Sequence, residues 1–461
     1  MAPASRKQQQ DNDQPVVHLA TVGTTPPGFQ GPDVIDALIA ELKPEKPRRL
    51  VVLATADSAD NAERLRKGLG VPPAATRIRA IATAQSLDEA YQAASEEIAA
   101  LLAEGVSPSR IVLHYTAGTK VMSAGAVMAA LRYEIQSLRY LFSPGRGHKS
   151  ESVITSPRTI LLDQRLNLAV NMIREMRFRS AIDLLRTVEG CDASPSQLQQ
   201  LEALRFLAQA YLDWDNFRTG DFLRRYEGGG GQLAKIPSFA AFRVEAAQLE
   251  SLRRVAAAED TDGSFPEELL LDLINNSIRR LAERHPDDAI IRLHRAAELY
   301  AQTVLAQDHG IRTDDVEIRK VPPRYRSGFE SERRLDDATI KLGLRKSYEL
   351  LAALGNPVGA AFQANEGLRE LLRQRRALVL GHGTRPATMN QALTFLKAVE
   401  DLLSLRITNL RERNRRLQFP WIDNDDVLRR LGRAPAVTES VIVTPDAKPV
   451  AKKPRKTRKA S

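Results

Sequence analysis

The chain is poor in the residues that cross-link, stack or anchor. A single cysteine, Cys191, stands among 461 residues, which excludes an internal disulfide and any cysteine-rich metal cluster. Aromatic residues make up only 5%, too few for base stacking to be the main grip on a nucleic acid. No apolar run reaches membrane-spanning length, and the polar opening MAPASRKQQQDNDQP lacks the apolar core of a secretory signal. Neither a Gly-x4-Gly-Lys-Ser/Thr phosphate loop nor a Gly-x-Gly-x-x-Gly dinucleotide loop occurs. No His/Asp/Glu spacing resembles a metal site, and no basic recognition helix marks a DNA-reading module. These exclusions leave a protein of two or three domains, with 43% hydrophobic residues to build cores. It is expected in the cytoplasm, with no membrane partner and no metal.

What is present is positive charge, unevenly placed. The net charge is +10, but residues 446–461 alone carry seven Lys/Arg against one Asp. Such a tail reads as a disordered, solvated appendage with salt-sensitive affinity for RNA and no specificity.

Along residues 15–163 short apolar runs alternate with helical patterns. VVHLATV (16–22), LVVLATA (50–56), ATRIRAIAT (75–83) and IVLHYT (111–116) read as strands. LDEAYQAASEEIAALLAEG (87–105) reads as an amphipathic helix, and SLRYLF with SVITSP as a closing antiparallel pair. The alternation predicts an α/β, Rossmann-like, mostly parallel sheet. Beyond residue 163 the strand signals vanish and an all-α chain follows. Residues 164–265 form a helical middle region, in which Gly228 to Gly231 read as a flexible joint. Residues 266–418 form a second helical block, and 419–461 an extension ending in the basic tail. In that block Leu271, Ile274, Ile278 and Leu281 face Ile290, Leu293, Ala297 and Tyr300 at the helical apolar period. Residues 1–14 read as a disordered leader.

Two turns carry the first candidate chemistry. The first strand runs into Gly23-Thr24-Thr25, and the fourth into Thr116-Ala117-Gly118-Thr119-Lys120, which opens a small-residue helix. Backbone N–H groups, hydroxyls and a lysine at a helix N-terminus stabilise an anion. Two such turns at the C-ends of strands in one sheet suggest a nucleotide-like ligand. The candidate ligand residues are Gly23, Thr24, Thr25, Thr116, Gly118, Thr119, Lys120 and Ser123.

The second candidate lies in LRELLRQRRALVLGHGTRP (368–386). A helix carrying Arg373, Arg375 and Arg376 is expected to run on until Gly381-His382-Gly383. Arg375 and His382, seven residues apart, would then project from one face. An imidazole beside a guanidinium suits metal-independent RNA cleavage. The imidazole takes the proton of a ribose 2′-hydroxyl or protonates the leaving oxygen, and the guanidinium stabilises the phosphorane, leaving a 2′,3′-cyclic phosphate. Arg376 is the alternative arginine. The spacing alone is weak evidence, since about two such pairs arise by chance in a chain this rich in arginine. Arg279 and Arg280 before His285 form one decoy, read as structural because His285 precedes Pro286 in a turn. His18 and His114 read as core histidines, and His294 as a surface position on its helix.

Together these residues resemble the CRISPR-associated CARF–HEPN ribonucleases of type III systems, in the subgroup with a long helical middle. The turn Gly23-Thr24-Thr25 and the run Thr116 to Ser123 stand where that family has a Gly-Thr/Ser turn and Thr-Gly-Gly-Thr-Lys-x-Met-Ser. Ala117 replaces a glycine, and His114 stands where aspartate is usual. Asp287-Asp288-Ala289 with Arg292 to Leu299 resembles the helix pair before the family's active site. Arg375, Arg376, His382 and Gly383 align with its Arg-Asn-x5-His-Gly element, with Arg376 in the asparagine position. The resemblance implies a homodimer that binds cyclic oligoadenylate across its two-fold axis. It implies that this activator switches on cleavage of single-stranded RNA in antiviral defence. No other cofactor and no stable association with the CRISPR effector complex is implied. Two alternatives stay open: a ligand-binding adaptor with an inactive HEPN domain, and a CARF domain that itself degrades its cyclic ligand.

Overall fold

The computed structural model describes residues 16–24, 33–142, 151–188, 193–233, 236–258, 265–334, 339–381 and 383–432. The leader, Thr25, Cys191, His382 and the basic tail lie outside the described residues. The chain divides into two compact units, residues 1–216 with 231–233, and residues 217–230 with 234–461. Among the described residues no helix is long and apolar enough to cross a membrane.

The first unit is built on a six-stranded sheet, β1 (Val17–Val22), β2 (Arg49–Thr55), β3 (Thr76–Ile81), β4 (Ile111–Ala117), β5 (Ser137–Phe142) and β6 (Glu151–Thr155), in the order β3-β2-β1-β4-β5-β6. The first five strands run parallel, and β6 closes the sheet antiparallel to β5. Helices α1 (Val34–Leu42), α2 (Ala59–Leu69), α3 (Leu87–Ala103) and α4 (Lys120–Arg132) make the crossovers. Central β1 and β2 are buried at nearly every position because both faces are covered. Val17, Leu19, Val51 and Leu53 pack on the side of α3 and α4. Ala20, Val22, Leu50 and Val52 pack on the side of α1 and α2. β3 differs: it is an edge strand, and the exposed Arg79 on it pairs with Glu96 of α3. A charged edge of this kind resists pairing with a stray strand. Helices α5 (Arg158–Arg174), α6 (Phe178–Arg186) and α7 (Pro195–Asp215) complete the unit, with Phe178, Tyr211 and Trp214 stacked in their core.

The second unit is helical. Helix α8 (Thr219–Leu233), whose last three residues group with the first unit, includes the four glycines Gly228 to Gly231, so the joint expected there is the C-terminal part of a helix. Its preceding turns are anchored by the stacked, buried rings of Phe222 and Tyr226, and the helix propagates through residues of low intrinsic propensity. After α9 (Ala246–Ala257) come α10 (Glu267–Ala282) and α11 (Pro286–His309). Their eight apolar positions expected to face one another are all buried. Helices α12 (Leu344–Ala353), α13 (Pro357–Ala364), α14 (Glu366–Gln374), α15 (Met389–Leu403), α16 (Leu410–Leu417) and α17 (Asn424–Arg430) follow. Arg279 of the decoy is fully buried. It donates to Gln418 at 2.8 Å, lies 3.4 Å from Asp272, and sits 4.1 Å from the centre of the Phe419 ring. Gln418 donates in turn to Asn424, and Asn424 to Asn275, which locks the segment after α16 onto α10.

The first unit hides one polar pair that its core must tolerate. His18 of β1 and His114 of β4 are both buried, with Nδ1 of His18 3.0 Å from Nε2 of His114 and the rings stacked at 5.3 Å. Glu45, which pairs with Arg139, lies 3.9 Å from the other face of this pair at His18 Nε2. Burial lowers His18 to about 4, with Glu45 opposing and Arg139 reinforcing the shift. Burial, then His18 and Arg139, push His114 well below its ordinary value. Both rings are therefore neutral in the folded chain near pH 7, while the unfolded chain takes up protons below about pH 6.5. Stability is full above that pH and falls as the solution is acidified from 6.5 towards 4. For His18 alone the shift corresponds to a loss on the order of 3 kcal/mol. The urea-unfolding midpoint is expected to drop steeply across this window, and a His18→Leu/His114→Leu variant to show a shallower drop.

Candidate functional site

The strand order reverses between β1 and β4, so a crevice opens outside their C-terminal ends. Both candidate turns lie there, and they touch. The Gly23 amide donates to the Ala117 carbonyl at 2.6 Å, and a Cβ on Gly23 would stand 3.1 Å from that oxygen. A Cβ on Gly118 would stand 2.6 Å from Thr21 Oγ1. Glycine at both positions is what lets the two turns close on each other.

The hydroxyls of the second turn are partly committed to the fold. Thr119 caps α4, accepting from the Met122 amide at 3.2 Å, and donates to the Ala84 carbonyl at 2.9 Å. Ser123 donates to the Tyr115 carbonyl at 2.7 Å, and Thr116 accepts from the Leu141 amide at 2.8 Å. Thr116 keeps its proton for a ligand, whereas Ser123 and Thr119 are left as acceptors. Lys120 and Thr24 are exposed. The first amides of α4 have no carbonyl partner within the helix, so this end is suited to an anion.

Three residues at this crevice carry no sequence motif. Asn61 of α2 donates to the Gly23 carbonyl at 2.9 Å, and Ser58 donates to the Val22 carbonyl at 2.9 Å. Thr21 is fully buried, and its hydroxyl has no partner among the described residues. It sits where the β1–β4 register shifts, directly under Gly118. Only the fold brings Asn61 and Ser58 to the first turn and Thr21 beneath Gly118, so spacing in the chain gives no sign of these contacts.

In the second unit the Arg375 region is not the continuous helix expected from its pattern. Helix α14 ends at Gln374, Arg375–Ala377 forms a 3-10 turn, and Leu378 is extended before a second 3-10 turn at Val379–Gly381. The apolar spacing misleads because Leu378 and Val379 belong to a backbone reversal. Arg385 donates its amide to the Ala377 carbonyl at 3.0 Å and accepts from the Val379 amide at 2.9 Å, closing the loop on itself. A Cβ on Gly381 would lie 1.9 Å from the Arg375 carbonyl, and one on Gly383 would lie 2.1 Å from that of Ala377. The glycines flanking His382 thus press directly onto the turn that holds Arg375 and Arg376. His382 itself lies outside the described residues.

Helix α11 supports this loop. The Asp287 carboxylate in its first turn accepts from the Ala387 amide at 3.1 Å, fixing the far end of the loop. Arg292 holds that first turn through Asp288 and reaches α10 at Asn276. Arg375 packs beside Ile290, Leu371 and Leu378. One turn beyond Ile290 stands His294, half-buried rather than on the surface. Burial first, then the positive charge of Arg375, lower it to about 4. Arg375 is half-buried with its Nε unbonded among the described residues, while Arg376 is exposed. Neither has an acidic partner among the described residues, so both are available to an anion.

Residues 262–406 match the family described as the Csm6 HEPN domain. The solved structures similar to the chain include two with bound cyclic nucleotides. Csm6 from Enterococcus italicus, bound to cyclic hexa-2'-fluoro-hexa-dAMP, is 12% identical over 91% of this chain and 98% of that one, with a TM-score of 0.48. Can2 from Sulfobacillus thermosulfidooxidans, in complex with cyclic tetra-adenylate (cA4), is 12% identical over 44% of this chain and 67% of that one, with a TM-score of 0.22. No curated protein matches the chain by sequence.

Substitution at the two pressing glycines tests the loop geometry. Gly381→Ala and Gly383→Ala are each expected to cost about 1–3 kcal/mol in urea unfolding, the range for forcing atoms into a packed site. Gly367 in α14 meets only Asn365 Oδ1 at 3.6 Å. Gly367→Ala is therefore expected to be neutral or slightly stabilising.

Proposed function

We propose, from the match of residues 262–406 to the Csm6 HEPN family, that the chain is a cyclic oligoadenylate-activated, metal-independent endoribonuclease acting on single-stranded RNA. The observation that carries the reading is the coincidence of that family match with the loop at 375–385. Two arginines free of acidic partners stand on a turn onto which the neighbours of His382 are pressed. In the proposed reaction His382 accepts the 2′-hydroxyl proton, and the 2′-oxygen attacks the adjacent phosphorus. Arg375 stabilises the charge on the phosphorane oxygens as the 5′-oxygen leaves and takes up a proton from water. The products are a 2′,3′-cyclic phosphate end and a 5′-hydroxyl end.

The first unit is the sensor in this reading. Thr24, Thr116, Gly118, Thr119 and Lys120 line the crevice at the strand reversal, and its amides and lysine suit the phosphates of a cyclic oligonucleotide. Two copies of the chain would enclose one ring. On the β5–β6 pair the exposed Tyr140, Phe142 and Val153 share one face, an apolar surface that a second copy would cover. Ring binding then biases the helical unit towards cleavage, a coupling between two sites.

The test is cleavage of a fluorogenic single-stranded RNA by the full chain in EDTA, with and without cyclic tetra- and hexa-adenylate. One ring is expected to raise the rate at least about tenfold. Arg375→Ala and His382→Ala are each expected to lower it by about a hundredfold or more, the scale of general acid–base and charge-stabilising groups. Lys120→Ala is expected to raise the ring concentration needed for half-activation without changing the maximal rate. Ring binding with no cleavage at any concentration would leave a sensor without a nuclease. Ring loss that depends on Lys120 but not on His382 would reveal degradation of the ligand in the first unit.

A further inference from the structure

The arginines of the second unit are mostly neutralised by carboxylates. Arg373 pairs with Glu370, Arg406 with Asp308, Arg413 with Glu267 and Arg415 with Asp425. The stretch around the candidate loop departs from this pattern. Arg369, Arg375, Arg376 and Arg385 have no acidic partner among the described residues, and the Nε atoms of Arg369 and Arg375 are buried without a hydrogen bond. Four arginines without acidic partners thus fall within seventeen residues of sequence, a local excess of positive charge that suits an anion.

The reaction uses neither Arg369 nor Arg385, and of these two Arg385 is the exposed one. Its backbone bridges to Leu378, directly after the turn that holds Arg375 and Arg376. Its backbone is fixed by the two hydrogen bonds to Ala377 and Val379, and the loop beyond it by Asp287 on the Ala387 amide. Pro386 further restricts its conformation. An exposed, uncompensated arginine on so constrained a backbone is placed for a fixed anionic partner.

We infer that Arg385 is a substrate-binding residue of this site, holding an RNA phosphate next to the one that is cut. The inference rests on the nuclease reading for the identity of the polyanion. An Arg385–phosphate contact carries no base information, so it would act uniformly across sequences.

The experiment uses the full chain in two backgrounds. In the His382→Ala background, binding of a fluorescein-labelled single-stranded RNA is followed by anisotropy across a salt series. Adding Arg385→Ala is expected to raise Kd about five- to tenfold and to reduce the slope of log K against log salt by about 0.7, the value for one contact on a single strand. Arg385→Lys is expected to keep the slope. In the otherwise unaltered chain, Arg385→Ala is expected to raise KM about five- to tenfold with kcat within about twofold, as loss of uniform binding does. Unchanged affinity and slope, or a fall in kcat at constant KM, would overturn the inference. If the chain binds RNA with an Arg385-dependent slope but never cuts it, the nuclease reading fails and the phosphate contact stands. If it cuts RNA and Arg385→Ala changes nothing, the contact alone fails.

Discussion

At both sites glycines let one stretch of chain close on another more tightly than a Cβ would allow, and the rest of each unit holds them there. In the first unit the Gly23 amide meets the Ala117 carbonyl, while Gly118 lies on Thr21. In the second, Gly381 and Gly383 lie on the carbonyls of Arg375 and Ala377. A single added methyl group at any of these positions would meet atoms closer than ordinary van der Waals contact. The sheet order, the Thr119 cap and the Asp287 clasp all serve that approach. A surface made of backbone and short side chains is set before a ligand arrives, so little conformational freedom is lost on binding.

The two units differ in how much of their architecture can be read from the chain. In the first, all six strands and their antiparallel closure were legible, the inner ones as apolar runs ending in turn residues and the outer ones from their place in the strand–helix alternation. The exposed edge position of β3 was not, since its length and pattern resemble those of the inner strands and only its arginines hint at solvent. In the second unit the α10–α11 pair was legible from its apolar period. The end of α14 was not: Leu378 and Val379 continue a helical spacing, and the reversal there is imposed by non-local hydrogen bonds from Arg385. The glycines of α8 mislead in the opposite direction, because tertiary anchoring of Phe222 and Tyr226 outweighs their weak propensity.

The candidate sites follow the same division. Glycines, threonines and a lysine at strand ends announce a phosphate-friendly turn, but spacing does not reveal that the Thr116, Thr119 and Ser123 hydroxyls already have partners. Nor does it bring Asn61 and Thr21 beside Gly23 and Gly118. The arginine-rich loop was visible as a motif, whereas its support by Asp287 and the half-buried placement of His294 depend on α11 packing across it. His294 illustrates the physical reason most clearly: its neighbours in sequence are ordinary, and burial first, then the charge of Arg375 81 positions away, set its environment.

The central claim is that the crevice of the first unit and the loop of the second are coupled. Coupling between two binding events is reciprocal, so it can be read at the ligand end without any chemistry. The direct measurement is the Kd of the activating cyclic adenylate for full-length His382→Ala protein, taken by calorimetry with and without saturating single-stranded RNA. Coupling is expected to lower that Kd at least about fivefold when RNA is bound, by the same factor as the ring tightens RNA. An identical Kd in both conditions would contradict it.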